Sequence, residues 1–314
     1  MIERYTPEHC KALLESLDPV EEINGVLVKR CDKFSLGLVN GAKIRMFLHV
    51  ISNRLEEIKK NHNSTLITGC GLPSPQGAMT ASLAKYFGLK AIVATPRYDN
   101  SRVDIDRIHT SIAQKYGAEI FGCSNPNPSG FACEVRHQKS LHNAFEVRMA
   151  DIGTPLFEPI IYQAQNIPDH IEEVTISSAS GMNGIALLIG LKKHKPNVKR
   201  VNFVTVSNHI YKNLSLWYNP LPEENKFEGE INIVASKYNY RHNLKKHPPF
   251  DSTYEAKAWE WMIENRPKEN HLFWVVAKKS YDLDLVEPIN WRTSEYQARI
   301  DEKKKKQNDT FFDL

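Results

Sequence analysis

Lys43 stands where a lysine can do chemistry. It follows the turn Asn40-Gly41-Ala42 and opens a segment in which Ile44, Phe47, Leu48, Ile51, Leu55 and Ile58 recur at helical spacing, so it falls in the first turn of an amphipathic helix. The positive end of a helix and partial burial both disfavour an ammonium there. The amine is therefore expected to shift toward its nucleophilic free base, the form that condenses with an aldehyde.

Three further segments join a strand or loop to a helix and hold polar groups at the junction. Gly71-Leu72-Pro73-Ser74-Pro75-Gln76-Gly77 offers the Ser74 hydroxyl and the Gln76 amide, which could orient a substrate or cofactor. Ser177-Ser178-Ala179-Ser180-Gly181-Met182-Asn183-Gly184 is rich in small residues that let backbone N–H groups close on an anion at a helix N-terminus, which suits a phosphate. Asp251-Ser252-Thr253-Tyr254-Glu255-Ala256-Lys257-Ala258 supplies a carboxylate that, facing a pyridine nitrogen, would keep it protonated and strengthen the ring as an electron sink. Each segment also has a plain structural reading: a snorkelling surface lysine, a Ser-Pro helix cap, an ordinary strand-to-helix turn, and a carboxylate stabilising a helix start. Their order along the chain decides between the two.

The elements around these segments alternate. Strands are expected at Gly25 to Arg30, Leu66 to Thr68, Ala91 to Ala94, Glu119 to Gly122, Val174 to Ser177, Val201 to Val206 and Ile231 to Val234. Helices are expected at the N-terminus, through Ile44 to Ile58, at Ala78 to Phe87, Val103 to Tyr116, Met182 to His194 and Tyr254 to Asn265, with Gly88 and Gly117 as stops. A surface loop is expected at Ser124 to Ser129. The β-α-β alternation predicts an α/β protein with mainly parallel sheets flanked by helices, and open sheets of this kind bind ligands at the carboxyl ends of their strands.

With 314 residues, two lobes are expected. A hydrophobic content of 41% and a charged content of 25% exclude wholesale disorder and fibrous organisation. No apolar run approaches bilayer-spanning length and no secretory leader is evident, so a cytoplasmic location without membrane contact is expected. The five scattered cysteines read as reduced thiols rather than a disulfide framework. Cys133, His137 and His142 lie near one another without further ligands at a recognised spacing, so no metal site is expected. The net charge of +4 is too mild to establish nucleic-acid binding by itself.

The order of the four segments resembles the fold-type-II pyridoxal 5'-phosphate (PLP) enzymes of the tryptophan-synthase-β-like superfamily, closest to the aminocyclopropane-carboxylate deaminase and D-cysteine desulfhydrase branch. That branch reads V-K-R-E-D, G-N-K-x-R-K-L, G-G-x-x-S-N-H/Q, a small-residue phosphate loop and D-P-V-Y-x-G-K-A. This chain has Val28-Lys29-Arg30-Cys31-Asp32, Gly41-Ala42-Lys43-Ile44-Arg45, Gly71-Leu72-Pro73-Ser74-Pro75-Gln76, Ser178 to Gly184 and Asp251 to Ala258, a similarity over about residues 25–265. The resemblance implies a two-lobed PLP fold, with residues 1–44 and 166–314 forming the larger cofactor-binding lobe and 45–165 the smaller α/β lobe. It implies that Lys43 is the Schiff-base lysine, that Ser74 lies beside the substrate Cα, and that Tyr254 approaches the substrate. Gln76 would border the cofactor, Ser178, Ala179, Ser180, Gly181 and Met182 would cradle its phosphate, and Glu255 would meet the pyridine nitrogen. A homodimer is implied as well.

Two departures stand out. Pro75 replaces the asparagine expected after Ser74, and Phe273 to Ala277 reads F-W-V-V-A where a His-Thr-Gly-Gly-like segment is expected. These changes favour an unusual substrate. Divergent relatives of this family in phage thymidine-hypermodification pathways remove the carboxylate from an amino acid attached to thymine in DNA, and the stretch Lys237 to His247 interleaves cations with aromatics that could meet phosphates and bases, Lys237, Tyr240, Arg241, Lys245 and Lys246 in particular. The lysines Lys303 to Lys306 add charge. The expected activity is a PLP-dependent lyase acting at Cα of an amino-acid group, decarboxylating an aminoacyl-modified thymine in phage DNA. The alternatives are deamination or β-elimination of a free small amino acid, and a non-catalytic binding protein with the same fold.

Overall fold

Two sheets, built from strands whose faces are covered by helices, organise the chain. A computed structural model describes residues 2–97, 107–125, 128–148, 154–237, 250–267, 269–278 and 283–302. Along the chain run α1 (Pro7–Glu15), β1 (Val20–Ile23), β2 (Val26–Arg30), β3 (Ser35–Leu36), β4 (Val39–Asn40), α2 (Ala42–Asn53), α3 (Leu55–Asn61), β5 (Thr65–Gly69), α4 (Gln76–Phe87), β6 (Lys90–Pro96), α5 (Ile108–Lys115) and β7 (Glu119–Cys123). There follow α6 (Pro128–His142), β8 (Phe145–Glu146), α7 (Thr154–Gln163), β9 (Glu173–Ser178), α8 (Met182–His194), β10 (Arg200–Thr205), α9 (His209–Asn213), β11 (Glu230–Ala235), α10 (Glu255–Asn265), β12 (His271–Val275) and β13 (Trp291–Arg292).

The larger sheet has the order β1-β2-β12-β9-β10-β11. Among the described residues of this sheet only the β1–β2 hairpin is antiparallel; β2, β12, β9, β10 and β11 run parallel. The smaller sheet, β13-β7-β6-β5-β8, is parallel throughout. Central strands β9 and β12 are buried along their whole length, as sheets covered on both faces require. Helix α8 seats closely on β10: a side chain at Gly184 would meet the Phe203 ring at 2.3 Å. Helix α7 and the residue after it pack on α8 at Gly190, where a Cβ would lie 3.0 Å from the Ala164 Cβ and the Ile161 carbonyl oxygen. Most buried apolar side chains join one core, and a second gathers Phe250, Trp259 and Phe273 beneath α10.

Several expectations need correction. The periodic segment expected as one helix from Ile44 to Ile58 is two, α2 and α3, because the chain turns tightly at Arg54, whose N–H bonds back to the Ile51 and Ser52 carbonyls. Helix α6 begins at Pro128, so the loop expected over Ser124 to Ser129 is shorter, and residues 126–127 lie outside the described ones. Part of the helix expected over Val103 to Tyr116 also lies outside; the described helix is α5. Helices α6 and α7 and the central strand β12 were not anticipated. The expected partition assigns 166–314 to the larger lobe, yet Trp291–Arg292 pairs with β7 of the smaller sheet, so the chain returns there at its end. No disulfide joins the five cysteines. Among the described residues no helix is long and apolar enough to cross a membrane.

An ion pair fixes the base of the helix that bears Lys43. Arg45, 1% exposed, reaches Asp18, 3% exposed, at 2.5 Å, and donates to the Leu13 and Ser16 carbonyls while lying over the Phe34 ring. The same Asp18 carbonyl accepts from Lys29 of β2, so α2 is tied to the larger sheet and to the N-terminal arm at once. Asp18→Ala would strand the Arg45 guanidinium, and a loss of about 3–5 kcal/mol is expected in denaturant unfolding. The double variant Asp18→Leu/Arg45→Met should lose less than Asp18→Ala alone, since no charge is then left unpaired.

Candidate active site

The start of α2 is docked by backbone, not by side chains. Gly41 takes φ +99°, and a Cβ there would sit 2.5 Å from the Ala277 Cβ and 2.6 Å from the Val276 carbonyl oxygen. Free of that atom, the Ala42 N–H donates to the Val276 carbonyl at 2.9 Å, and the Asn40 side chain exchanges two 2.8 Å hydrogen bonds with the Lys278 backbone. Lys43, one residue on, thereby meets the end of β12.

A cavity of about 240 Å³ opens there, at the carboxyl ends of strands from both sheets. Lys43 lines it together with Ser74, Ser178, Ala179, Ser180, Gly181, Met182, Tyr254 and Glu255, so eight of the residues singled out by sequence accompany the lysine. Gln76 does not. It is buried, its side-chain amide donates to the Thr68 hydroxyl (2.7 Å) and the Val147 carbonyl (3.2 Å), and it serves the smaller sheet instead. Lys237 lies away from the cavity and pairs with Glu260 and Glu264 at 3.3 and 2.9 Å. Tyr240, Arg241, Lys245, Lys246 and the lysines Lys303 to Lys306 lie outside the described residues.

Burial sets the protonation states. It lowers the Lys43 amine to about 8, against a slight opposing pull from Cys70. Cys70 is itself pushed up to about 11 by burial, with the Gly77 N–H and Lys43 drawing it partly back. Glu255, 3% exposed, is raised to about 8 by burial and then by the neighbouring Asp251, although the Ala277 N–H (3.3 Å) and the Ser177 hydroxyl bond to its carboxyl. At neutral pH the cavity thus presents an amine that is still mainly protonated but lies much closer to its free base than an ordinary lysine, and a carboxyl that retains its proton.

The loop after β9 has the form of an anion cradle. Gly181, at φ +84°, turns the chain into α8, whose first residues Met182, Asn183 and Gly184 line the cavity, as suits an anion at a helix N-terminus. The Ser178 hydroxyl and the Asn183 side-chain oxygen are buried without a hydrogen-bond partner. Such orphans are costly in a finished interior and mark a place where a ligand completes the bonding. The phosphate of PLP, its aldehyde and its ring nitrogen thus each have a candidate partner: this loop, Lys43 and Glu255. Pro75, also in the wall, offers no polar group.

Sequence reasoning gave no role to Asp251, Met46, Met79, Val276 or Ala277, which also line the wall. Asp251 had a legible signal: its carboxylate accepts from the N–H groups of Thr253 (2.8 Å) and Tyr254 (3.0 Å), an Asp-led turn before a helix. The apolar four had none beyond hydrophobicity.

Comparison with known proteins agrees with this geometry. No family model matches the chain. By sequence it is similar to the O-seryl-dTMP PLP-dependent decarboxylase of Salmonella phage ViI, 22% identical over 333 aligned residues that cover 80% of this chain and 74% of that protein. By structure it is similar to an ACC deaminase homologue, with a TM-score of 0.62, 15% identity and coverage of 87% of this chain and 95% of the other. The chain has PLP fold type II. The processed form of threonine deaminase isoform 2 from Solanum lycopersicum shares it, with a TM-score of 0.61 at 13% identity over 89% of this chain and 87% of that one. In this fold the expected architecture of parallel sheets flanked by helices stands.

If Lys43 is the residue that captures PLP, the capture rate should follow its free base. The amine's depressed value means that the rate rises with pH and levels off above about 8, whereas an ordinary lysine would keep gaining up to about pH 10. Stopped-flow absorbance on adding PLP to the cofactor-free protein measures this, and Lys43→Ala should leave no borohydride-stable adduct. A rate still climbing at about pH 9.5 would put the amine in solvent.

Proposed function

We propose that the chain is a PLP-dependent lyase acting at Cα of an amino-acid group, and that its substrate is an aminoacyl-modified thymine in phage DNA, from which it removes the carboxylate. The observation that supports the cofactor is the meeting, in one cavity, of the Lys43 amine, the donor-bearing loop Ser178 to Met182 and the Glu255 carboxyl. The similarity to a phage decarboxylase named for O-seryl-dTMP supports the substrate and the bond broken.

Bound PLP would supply an electron sink conjugated to the substrate Cα. The protein's part is placement and proton handling. The loop Ser178 to Met182 and the α8 N-terminus would hold the phosphate, with the Ser178 hydroxyl as an added donor. Lys43 would hold the aldehyde between turnovers and, once released, carry a proton to or from Cα with an amine tuned near working pH. Glu255 would hold a proton at its carboxyl toward the ring nitrogen. Ser74 and Tyr254, on the cavity wall, would border Cα. Lys237, Tyr240, Arg241, Lys245 and Lys246 would contact the DNA, with Lys237 first giving up its ion pairs to Glu260 and Glu264. The active form would be a cytoplasmic homodimer.

A second reading is deamination or β-elimination of a free small amino acid. A solved threonine deaminase and an ACC deaminase homologue of the same fold favour it.

The two separate by product. Incubated with DNA bearing O-seryl thymine and with free amino acids, the holoenzyme should release carbon dioxide from the DNA and leave an aminoethyl-bearing nucleoside, seen by mass spectrometry after digestion. Ammonia and a keto acid from a free amino acid, with the DNA unchanged, would establish the second reading instead. Lys43→Ala should lower turnover by at least about a hundredfold, the lower range for losing a positioned acid–base group. A protein that shows neither a visible cofactor band nor turnover would be a binding protein. Replacing Arg241, Lys245 and Lys246 should weaken DNA binding most at low salt and flatten its salt dependence by about one unit per lost phosphate contact.

A further inference from the structure

An amino-acid carboxylate entering the cavity needs donors, and the wall opposite the loop Ser178 to Met182 is poor in them. Lys43 is the one cation among the described lining residues; Asp251 and Glu255 bring carboxyl groups, and Met46, Met79, Val276 and Ala277 are apolar. The small-lobe wall is the loop Pro73-Ser74-Pro75. Pro73 and Pro75 have no N–H. The neighbouring amides are already engaged: Cys70 N–H with the Ala94 carbonyl (3.0 Å), Ser74 N–H with the Gly71 carbonyl (3.0 Å), Gln76 N–H with the Ser74 hydroxyl oxygen (3.3 Å), and Gly77 N–H with the Cys70 thiol. The Gln76 side chain is turned to Thr68 and Val147. The amides of Gly71 and Leu72 belong to residues outside the wall. Apart from the Ser74 hydroxyl, the stretch Pro73-Ser74-Pro75 that lines the cavity has nothing to offer an anion.

We infer that Pro73 and Pro75 are specificity-determining residues: by withholding backbone donors from the amino-acid carboxylate, they commit the site to breaking the Cα–carboxylate bond. The inference rests on the reading above, in which an amino-acid group enters with Cα beside Lys43. A carboxylate gripped by charge-assisted N–H bonds is stabilised as an anion and held through the reaction, as deamination requires. In decarboxylation that negative charge leaves the oxygens. The Cα–C bond breaks, its electron pair stays with Cα, neutral carbon dioxide departs, and a proton from the Lys43 ammonium forms the new C–H bond. Donors on the carboxylate would stabilise the starting state more than the transition state, so a donor-poor, apolar wall lowers the barrier to this outcome alone.

Two probes that differ only by the carboxylate test this: O-methylserine, with the tighter-binding enantiomer taken, and 2-methoxyethylamine. Each is titrated into the PLP-loaded protein and its dissociation constant read from the cofactor absorbance. The wild-type protein should bind the amine as tightly as the amino acid, or more tightly. Pro75→Asn and Pro73→Ala/Pro75→Asn should shift preference toward the amino acid by about tenfold or more, the scale of one restored charge-assisted hydrogen bond, with carbon dioxide release slowed. A wild-type preference for the amino acid above about tenfold overturns the inference, and so does an unchanged preference in variants that retain the cofactor band. If the variants fail to retain it, the wild-type ratio alone decides. Carbon dioxide release from modified DNA alongside a strong amino-acid preference would defeat the proline assignment and leave the decarboxylase reading standing; ammonia in place of carbon dioxide would defeat that reading itself.

Discussion

The site depends on a backbone contact that tolerates no side chain. Residues 40–42 lie against the chain leaving β12 so closely that a methyl group at Gly41 would overlap Val276 and Ala277, and the hydrogen bonds of Asn40 and Ala42 use the space that the glycine leaves. The left-handed conformation and the close approach are both met by glycine at little cost, and any other residue would be strained twice over. Because Lys43 follows in the first turn of α2, this contact sets where its amine emerges. The Arg45–Asp18 ion pair then secures the same turn from the opposite side.

Once docked there, the lysine and Glu255 share an electrostatic situation with opposite sign. Burial is the leading cause in both, and it favours the uncharged form of each, so the base is drawn down and the acid drawn up until they meet near 8. At neutral pH the carboxyl then keeps its proton while a minor but usable share of the amine, about a tenth, is free base, although in water the same pair would be an ammonium and a carboxylate. Asp251 reinforces the effect on Glu255 while its own oxygen caps the turn before α10. One aspartate therefore acts on both the local fold and the charge state of the site.

Much of this was legible in sequence where a local pattern matched the final environment. Helix α8 spans the residues expected of it, and β2, β5 and β9 appear within a residue or two of expectation. What stayed hidden was hidden for physical reasons. The run His271–Val275 is buried on both faces, so it lacks the alternation that marks a strand, and its length suits a helix segment equally. Helix α6 buries Glu134 and Gln138, which bond to each other and, through Glu134, to Ser294; its inward face reads as polar until the partner 160 positions away is in place. Helix α7 contains Pro159, a residue that argues against helix. Gln76 was assigned by its position in a motif, but the motif could not show that Thr68 and the Val147 carbonyl would claim its amide.

That displacement of Gln76 belongs with the other changes in its loop. Matching G-G-x-x-S to Cys70-Gly71-Leu72-Pro73-Ser74 puts a cysteine at the first glycine of the motif, and its thiol takes up the Gly77 N–H at the entrance to α4. Pro73 and Pro75 eliminate two more donors, and the amides of Ser74 and Gln76 are closed within the turn. The departures therefore act in one direction: each removes polarity from the face the loop presents to Lys43, while the cradle at Ser178 to Met182 keeps the unpartnered Ser178 hydroxyl. Selection on a cofactor would preserve the cradle and Lys43, whereas selection on which bond of the substrate breaks would act on the opposite wall, and the contrast between the two walls follows if the chain keeps the cofactor of its fold while altering the fate of the carboxylate.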